Sequence, residues 1–385
     1  MKIHNPVTLF VLTWILVLTL YVFHFSLVLT TLNFLLFTYI VLSCVSFILS
    51  YFLLNDFYRI KTINSVYFTK VNISITLKYV FYLWFLLSLL EIGYFRSIPI
   101  LSIFGIGEGA YTEWGIPSLH GLLNSMILVI SNYCLYLYIQ TKEKKYLKYF
   151  LLCLIWPLML ITRQLFMSMA VQGILVYFFF NKLKIKNVLR FGVLALVIIL
   201  LFGIVGDLRS GSSDSFIAIA QPSSNYPTFL PSGFLWVYIY ITSPLNNVNF
   251  NIHDYPLFNF NPSPLLSSIL PSFIRDKITF WGQASNFKLV DDLLNVSSMF
   301  PNYLSAFGYI GSILFYFLMG LTFNFIYFKT KKERVNIKWV FILVVILHNI
   351  LFSLFVDFFS SLVFIFQIFL HFIVGTKFYI KNDKV

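Results

Sequence analysis

An all-α polytopic membrane protein is predicted by three observations. The 385-residue chain is 59% hydrophobic, only 11% of it is charged, and its apolar residues gather in long runs with a mean hydropathy of +0.86. A soluble domain carries about 25% charged residues, so a soluble fold is excluded. Each membrane helix needs ~20 apolar residues, and about ten helices and one large extramembrane loop fit the length.

The first three predicted helices cover the apolar runs 8–29, 32–54 and 74–93. The first run follows Lys2 without a small-x-small cleavage site and reads as a retained helix, not a signal peptide. Four more runs follow at 116–140, 146–162, 164–181 and 191–207, and the last three lie at 303–328, 339–356 and 358–376. Residues 146–181 and 339–376 are each bracketed by basic clusters, so each is expected to cross twice as a tight hairpin. A helix from Tyr146 to Thr162 would be ~25 Å long, shorter than the ~30 Å hydrocarbon core. Arg163, at its outer end, is therefore expected slightly below the membrane surface. The second hairpin turns at Asp357.

In a ten-span arrangement, 21 of the 27 Lys and Arg residues fall on one face, in clusters at Lys2 and at 59–78, 142–148, 182–190, 329–338 and 377–384. The positive-inside rule makes that face, with both termini, cytoplasmic. The net charge of +13 is then a topology signal and not a nucleic-acid footprint. Residues 1–207 form seven helices, 208–302 a large periplasmic loop, and 303–385 three helices with a short tail. Within the loop, Phe229 to Val248 is apolar, but Pro231 and Pro244 bound a run of about a dozen residues. If it crossed, eight basic residues of the last helices would face outward, so a short interfacial or re-entrant helix near 229–245 is expected.

Six basic residues remain outside: Arg96, Arg163, Arg209, Arg275, Lys277 and Lys288. Arg96, Arg163 and Arg209 sit near helix ends, where a guanidinium meets a phosphate bidentately at headgroup level. The alternative is that they snorkel or pair with Glu91, Glu108 or Asp207. The loop Gly105 to Gly121 lacks the Lys-Ser/Thr of a P-loop. It offers Glu108, Glu113 and His120 as acid/base candidates, with solvated loop carboxylates and a core imidazole as the bland readings. His348 and His371 read as structural. Asp291-Asp292 has no third ligand in sight and reads as a helix-start pair. Cys44, Cys134 and Cys153 lie in apolar runs, so neither a disulfide framework nor a metal site is expected. Tyr238, Tyr240 and Asn246, in an aromatic and amide stretch, suit a sugar surface or an aromatic belt.

The ordered motifs Trp-Gly-Ile-Pro-Ser-Leu-His-Gly-Leu (114–122), Thr-Arg-Gln (162–164), Tyr-Ile-Tyr-Ile-Thr-Ser-Pro-Leu-Asn-Asn (238–247) and Tyr-Leu-Ser-Ala-Phe-Gly-Tyr-Ile-Gly (303–311) resemble those of Wzy-type oligosaccharide repeat unit polymerases, the O-antigen and capsule polymerases. The resemblance implies an enzyme of the bacterial inner membrane that joins undecaprenyl-diphosphate-linked oligosaccharides at the periplasmic face. It implies no cofactor, and as partners the lipid-linked oligosaccharide, membrane lipids and a chain-length regulator. Family arginines that hold the diphosphate map best onto Arg163, with Arg209 and Arg96 as weaker matches. His120 or Glu113 is the expected base, and Tyr238, Tyr240 and Asn246 the expected sugar contacts. A lipid-linked glycan flippase, a glycosyltransferase using a polyprenyl-monophosphate sugar and an O-antigen ligase are the competing expectations. The lack of an internal repeat speaks against a transporter.

Overall fold

A computed structural model describes residues 4–58, 74–102, 114–181, 186, 189–190, 192–193, 213–227, 229–278, 287–332, 334–375 and 379–381. In chain order the helices are α1 (Pro6–Val22), α2 (Phe34–Phe57), α3 (Ser74–Phe95), α4 (Pro99–Ser102), α5 (Leu119–Thr141), α6 (Lys144–Cys153), α7 (Ile155–Met159) and α8 (Arg163–Phe180). They continue with α9 (Ser213–Ala220), α10 (Ser232–Asn251), α11 (Ser263–Ile269), α12 (Ser272–Arg275), α13 (Phe300–Lys329), α14 (Ile337–Phe352) and α15 (Leu362–Gly375). Among the described residues, α2, α5, α8 and α13, together with Thr76–Phe95 of α3, are long and apolar enough to cross a membrane; α1, α14 and α15 are shorter apolar helices. The chain is a helical membrane protein. The predicted helix at 191–207 lies almost wholly outside the described residues.

Exposed Leu, Phe and Val side chains line the free faces of α2 and α3, as lipid contact requires, whereas α14 is buried on nearly every side. Small residues let α2 and α13 approach closely. A Cβ at Gly320 would collide with Ser50, and Asn324 donates to Ser50 Oγ at 2.9 Å.

Four local features depart from the sequence reading. The run 146–162 is not one helix, because Pro157 has no N–H to donate and the chain breaks at Leu154 into α6 and α7. The helix expected near 229–245 is longer. It runs through Pro244 to Asn251, because burial of its second half and the bonds of its asparagines outweigh the one backbone bond that proline removes. The run 303–328 begins at Phe300 and kinks at Gly308, whose φ of 66° and ψ of −168° suit only glycine. There the opened backbone pairs with a neighbouring loop: Asn259 N donates to Phe307 O, Asn261 N to Ala306 O and Tyr309 N to Pro256 O. Finally, Arg334–Asn336 and Tyr379–Lys381 pair as a short antiparallel ladder that no alternating pattern announces.

Candidate active site beside a polar cavity

The head of α5 is built around His120. Gly115 (φ 125°) brings the chain so close to the imidazole that a Cβ there would lie 2.8 Å from His120 Cγ. Glu91, on α3 and fully buried, accepts from Ile116 N at 2.9 Å through Oε1 and meets His120 Nδ1 at 3.1 Å through Oε2. A carboxylate only accepts, so this contact fixes the proton on Nδ1 and leaves Nε2 as the basic nitrogen. The His120 side chain is 23% exposed. Trp114 stands edge-on to the ring at 5.5 Å and is itself held by donation from Nε1 to Ser97 O at 3.0 Å. Ser118 Oγ accepts from Ser272 N at 2.8 Å, tying α12 of the large loop to the same place.

Arg163 is the first residue of α8, after a turn in which Ile161 takes a left-handed φ of 55° and Thr162 N donates to Pro157 O at 3.0 Å. It is exposed. Thr162 and Gln164, on either side of it, both line a half-open cavity of about 190 Å³ between the ends of α5, α8, α14 and α15. Asn124, one helical turn beyond His120, lines the same cavity and receives Trp156 Nε1 at 3.4 Å. Trp156 is in edge contact with Trp114. A continuous set of contacts therefore runs from the His120–Glu91 pair through two tryptophans to Asn124 at the cavity wall.

The remaining lining comes from Leu128, Leu165 and Ser168, from His348 and Asn349 of α14, and from Phe358, Ser361, Val363, Phe364 and Gln367. Among the described residues, none that lines the cavity is Asp, Glu, Lys or Arg. Gln367 Nε2 donates to Gln172 Oε1 at 2.9 Å, and that oxygen also takes Asn132 Nδ2 at 2.7 Å, so the amides of three helices continue inward from the cavity.

The wall formed by 353–361 is shaped by Asp357. This buried carboxylate accepts from Asn302 Nδ2, Tyr303 Oη, Phe359 N and Ser360 Oγ, which binds the loop to the head of α13. Burial pushes its carboxyl above the usual value, against the opposing pull of the hydrogen bonds from Ser360, Asn302 and Phe359. The motif at 303–311 thus serves this end of the bundle through Tyr303 and Gly308.

The sequence-derived site divides. Neither His120 nor Arg163 lines the cavity itself: His120 lies one helical turn before the lining residue Asn124, and Arg163 lies between the lining residues Thr162 and Gln164. Arg96 is exposed, with a left-handed φ of 51°, five residues beyond Glu91 on the adjoining end of α3. Glu91 engages His120, not Arg96. Tyr238 and Asn246 belong to a different assembly, in which α10 packs on α1. Tyr238 Oη accepts from Phe25 N at 3.0 Å, while Asn246 Oδ1 accepts from Tyr21 Oη at 2.6 Å and Thr30 N at 3.0 Å, and Asn246 Nδ2 donates to Val28 O. Both are buried, and Asn247, Asn249 and Asn251 tie down neighbouring loops in the same manner. Tyr240 is exposed and stacks on Trp236. None of the three lines the cavity. Glu113, Glu108 and Arg209 lie outside the described residues.

Sequence reasoning passed over Glu91 as a partner for His120 and His348 as a cavity residue. A lone carboxylate inside the apolar run 74–93 and a histidine inside 339–356 were the available signals, since ionisable groups in such runs need partners or a cavity.

Comparison of the chain with family models, with characterised proteins and with solved structures finds no match.

Proposed function

We propose that the protein polymerises undecaprenyl-diphosphate-linked oligosaccharide repeat units, moving the growing glycan en bloc onto the non-reducing end of the incoming unit. The observation that carries this reading is a carboxylate-oriented histidine one helical turn from Asn124, and an exposed arginine between Thr162 and Gln164, all three of these neighbours lining one polar cavity. The order of the four motifs resembling Wzy-type polymerases supports it. In this reading the chain crosses the bacterial inner membrane ten times with both termini in the cytoplasm, as the basic clusters require, and the His120 end faces the periplasm.

The transfer forms a new glycosidic C–O bond and breaks the bond between the anomeric carbon and the diphosphate. His120 Nε2 takes the proton of the acceptor hydroxyl, and buried Glu91 stabilises the imidazolium. Arg163, with Arg209 and Arg96, stabilises the leaving diphosphate, for which a preorganised guanidinium supplies two parallel hydrogen bonds. The proton leaves from His120 to solvent. Loss of the gene is expected to leave single-repeat glycan on the cell surface in place of a ladder of chain lengths. Impermeant thiol reagents added from outside should label a cysteine at exposed Asn225 and not one at exposed Lys144. A normal ladder without the gene would refute the function, and the reverse labelling would refute the orientation.

A further inference from the structure

Two neighbouring side chains in the cavity wall have polar atoms without partners. His348 is 4% exposed and Asn349 is 3% exposed, and neither His348 Nε2 nor Asn349 Nδ2 finds a protein hydrogen-bond partner. The two side chains are bonded to each other, His348 Nδ1 lying 2.8 Å from Asn349 Oδ1. Because an amide oxygen only accepts, Nδ1 carries the proton and Nε2 is an acceptor, while Asn349 Nδ2 remains a donor. The cavity wall thus carries an acceptor and a donor on adjacent residues, both atoms closed off from the cavity as the side chains stand and presented to a ligand as those side chains turn toward it. Leaving such groups buried and unmet costs about 1–3 kcal/mol each, so the pair is suited to a ligand that offers both a donor and an acceptor, as neighbouring hydroxyl groups do.

The rest of the wall narrows the ligand class. Phe358 and Phe364 supply apolar side chains, Gln164, Ser168 and Gln367 supply polar ones, and among the described residues no charged side chain lines the cavity to neutralise an anion. A diphosphate is unsuited to this interior, whereas a neutral pyranose matches it, with an apolar face for the phenyl rings and equatorial hydroxyls for the amides. The volume of about 190 Å³ would hold roughly six waters at ~30 Å³ each, which one sugar ring would displace.

We propose that the cavity between α5, α8, α14 and α15 is a binding site for one uncharged sugar ring, with His348 and Asn349 as the partners of two of its hydroxyl groups. That the ring belongs to a carrier-linked repeat unit rests on the polymerase reading; the neutral-sugar chemistry of the cavity does not. Arg163, flanked by two lining residues, then stands where the diphosphate of the same carrier would remain outside.

The test uses full-length protein in lipid nanodiscs with a cysteine at Gln164, an exposed residue of the cavity wall, or at Ser361 should the first variant fold poorly. Its rate of reaction with a small thiol reagent is compared with that of protein lacking the added cysteine, which corrects for Cys44, Cys134 and Cys153. The lipid-linked repeat unit from the strain that encodes the protein is expected to slow labelling at least tenfold, while undecaprenyl diphosphate alone does not. The soluble oligosaccharide released from that unit should protect at higher concentration. Replacing His348 and Asn349 together by Leu should abolish protection at unchanged protein abundance, and His348→Gln, which retains an acceptor, should keep part of it. Equal protection by undecaprenyl diphosphate alone, no protection by any glycan form, or full protection in the double Leu variant would overturn the site. Protection without chain growth in the same nanodiscs would instead overturn the polymerase reading and leave the sugar site standing.

Discussion

Replacing Glu91 by Gln changes two atoms' chemistry and almost nothing else. The buried carboxylate meets Ile116 N at 2.9 Å and His120 Nδ1 at 3.1 Å. Gln keeps the volume, and its oxygen can still accept from Ile116, but the NH₂ group must then face Nδ1. An amide donor there forces Nδ1 to accept, the imidazole proton moves to Nε2, and the nitrogen facing the acceptor hydroxyl is no longer a base. A wrong tautomer of this kind costs about 10⁴-fold in the serine-protease triad, and a general base contributes roughly 100- to 10,000-fold. Glu91→Gln is therefore expected to lower the rate of chain growth at least ~100-fold, or about 2.7 kcal/mol at 1.36 kcal/mol per tenfold. Because Glu91 acts through His120, the double variant with His120→Ala should be no slower than His120→Ala alone. The assay is the initial rate of repeat-unit joining in nanodiscs at matched protein concentration. A Glu91→Gln rate within threefold of wild type, or independent losses that multiply, would refute the role given to this pair.

Three further outcomes are expected. Arg163→Ala should reduce polymerisation tens- to thousands-fold, since removing one partner of a partly desolvated charge pair costs about 2–5 kcal/mol; Arg163→Lys, which keeps the charge and loses the planar fork, should give shortened chains, and a normal surface ladder from Arg163→Ala would shift the clamp to Arg209. Gly308→Ala should destabilise the protein by at least about 1–3 kcal/mol, because a left-handed φ is imposed on a Cβ that would also lie 2.6 Å from Pro256 O; thermal unfolding in detergent measures it, and an unchanged midpoint contradicts the kink. For Asp357, the raised folded carboxyl value means that its stabilising contribution is fully present below the unfolded value and is lost as pH rises through the folded one. The stability advantage of wild type over Asp357→Asn should accordingly be largest at the acid end and shrink toward neutral pH, and an advantage that grows with pH would reverse the assignment.

Among the described residues, the long apolar runs at 32–54, 74–93, 116–140, 164–181 and 303–328 were legible as membrane-length helices, because hydrocarbon imposes the same demand on every residue of a span. Their interruptions were less legible. Pro157 breaks one run, whereas Pro244 leaves another continuous, and the difference lies in what surrounds each proline, not in proline itself. Gly308 was visible as part of a motif, but only the loop at 256–261 explains why it must be glycine. The places of His120 and Arg163 at helix ends were readable from the sequence. Glu91 was not readable as the partner of His120, because the two are 29 positions apart and Arg96 stood closer along the chain. Asn246 looked like a sugar contact for its chemistry, yet it is buried and its amide holds the loop after α1. Composition identifies an amide; only packing decides whether it faces a ligand or a neighbouring strand of backbone.

The central claim is that these residues join lipid-linked repeat units, and purified protein reconstituted with single-repeat undecaprenyl-diphosphate oligosaccharide tests it most directly. The account predicts carrier-linked products of two and more repeats, with one undecaprenyl diphosphate released for each new glycosidic bond, and loss of both in His120→Ala. Movement of the substrate across the bilayer without any lengthening, or transfer of the glycan only to a different lipid, would contradict it.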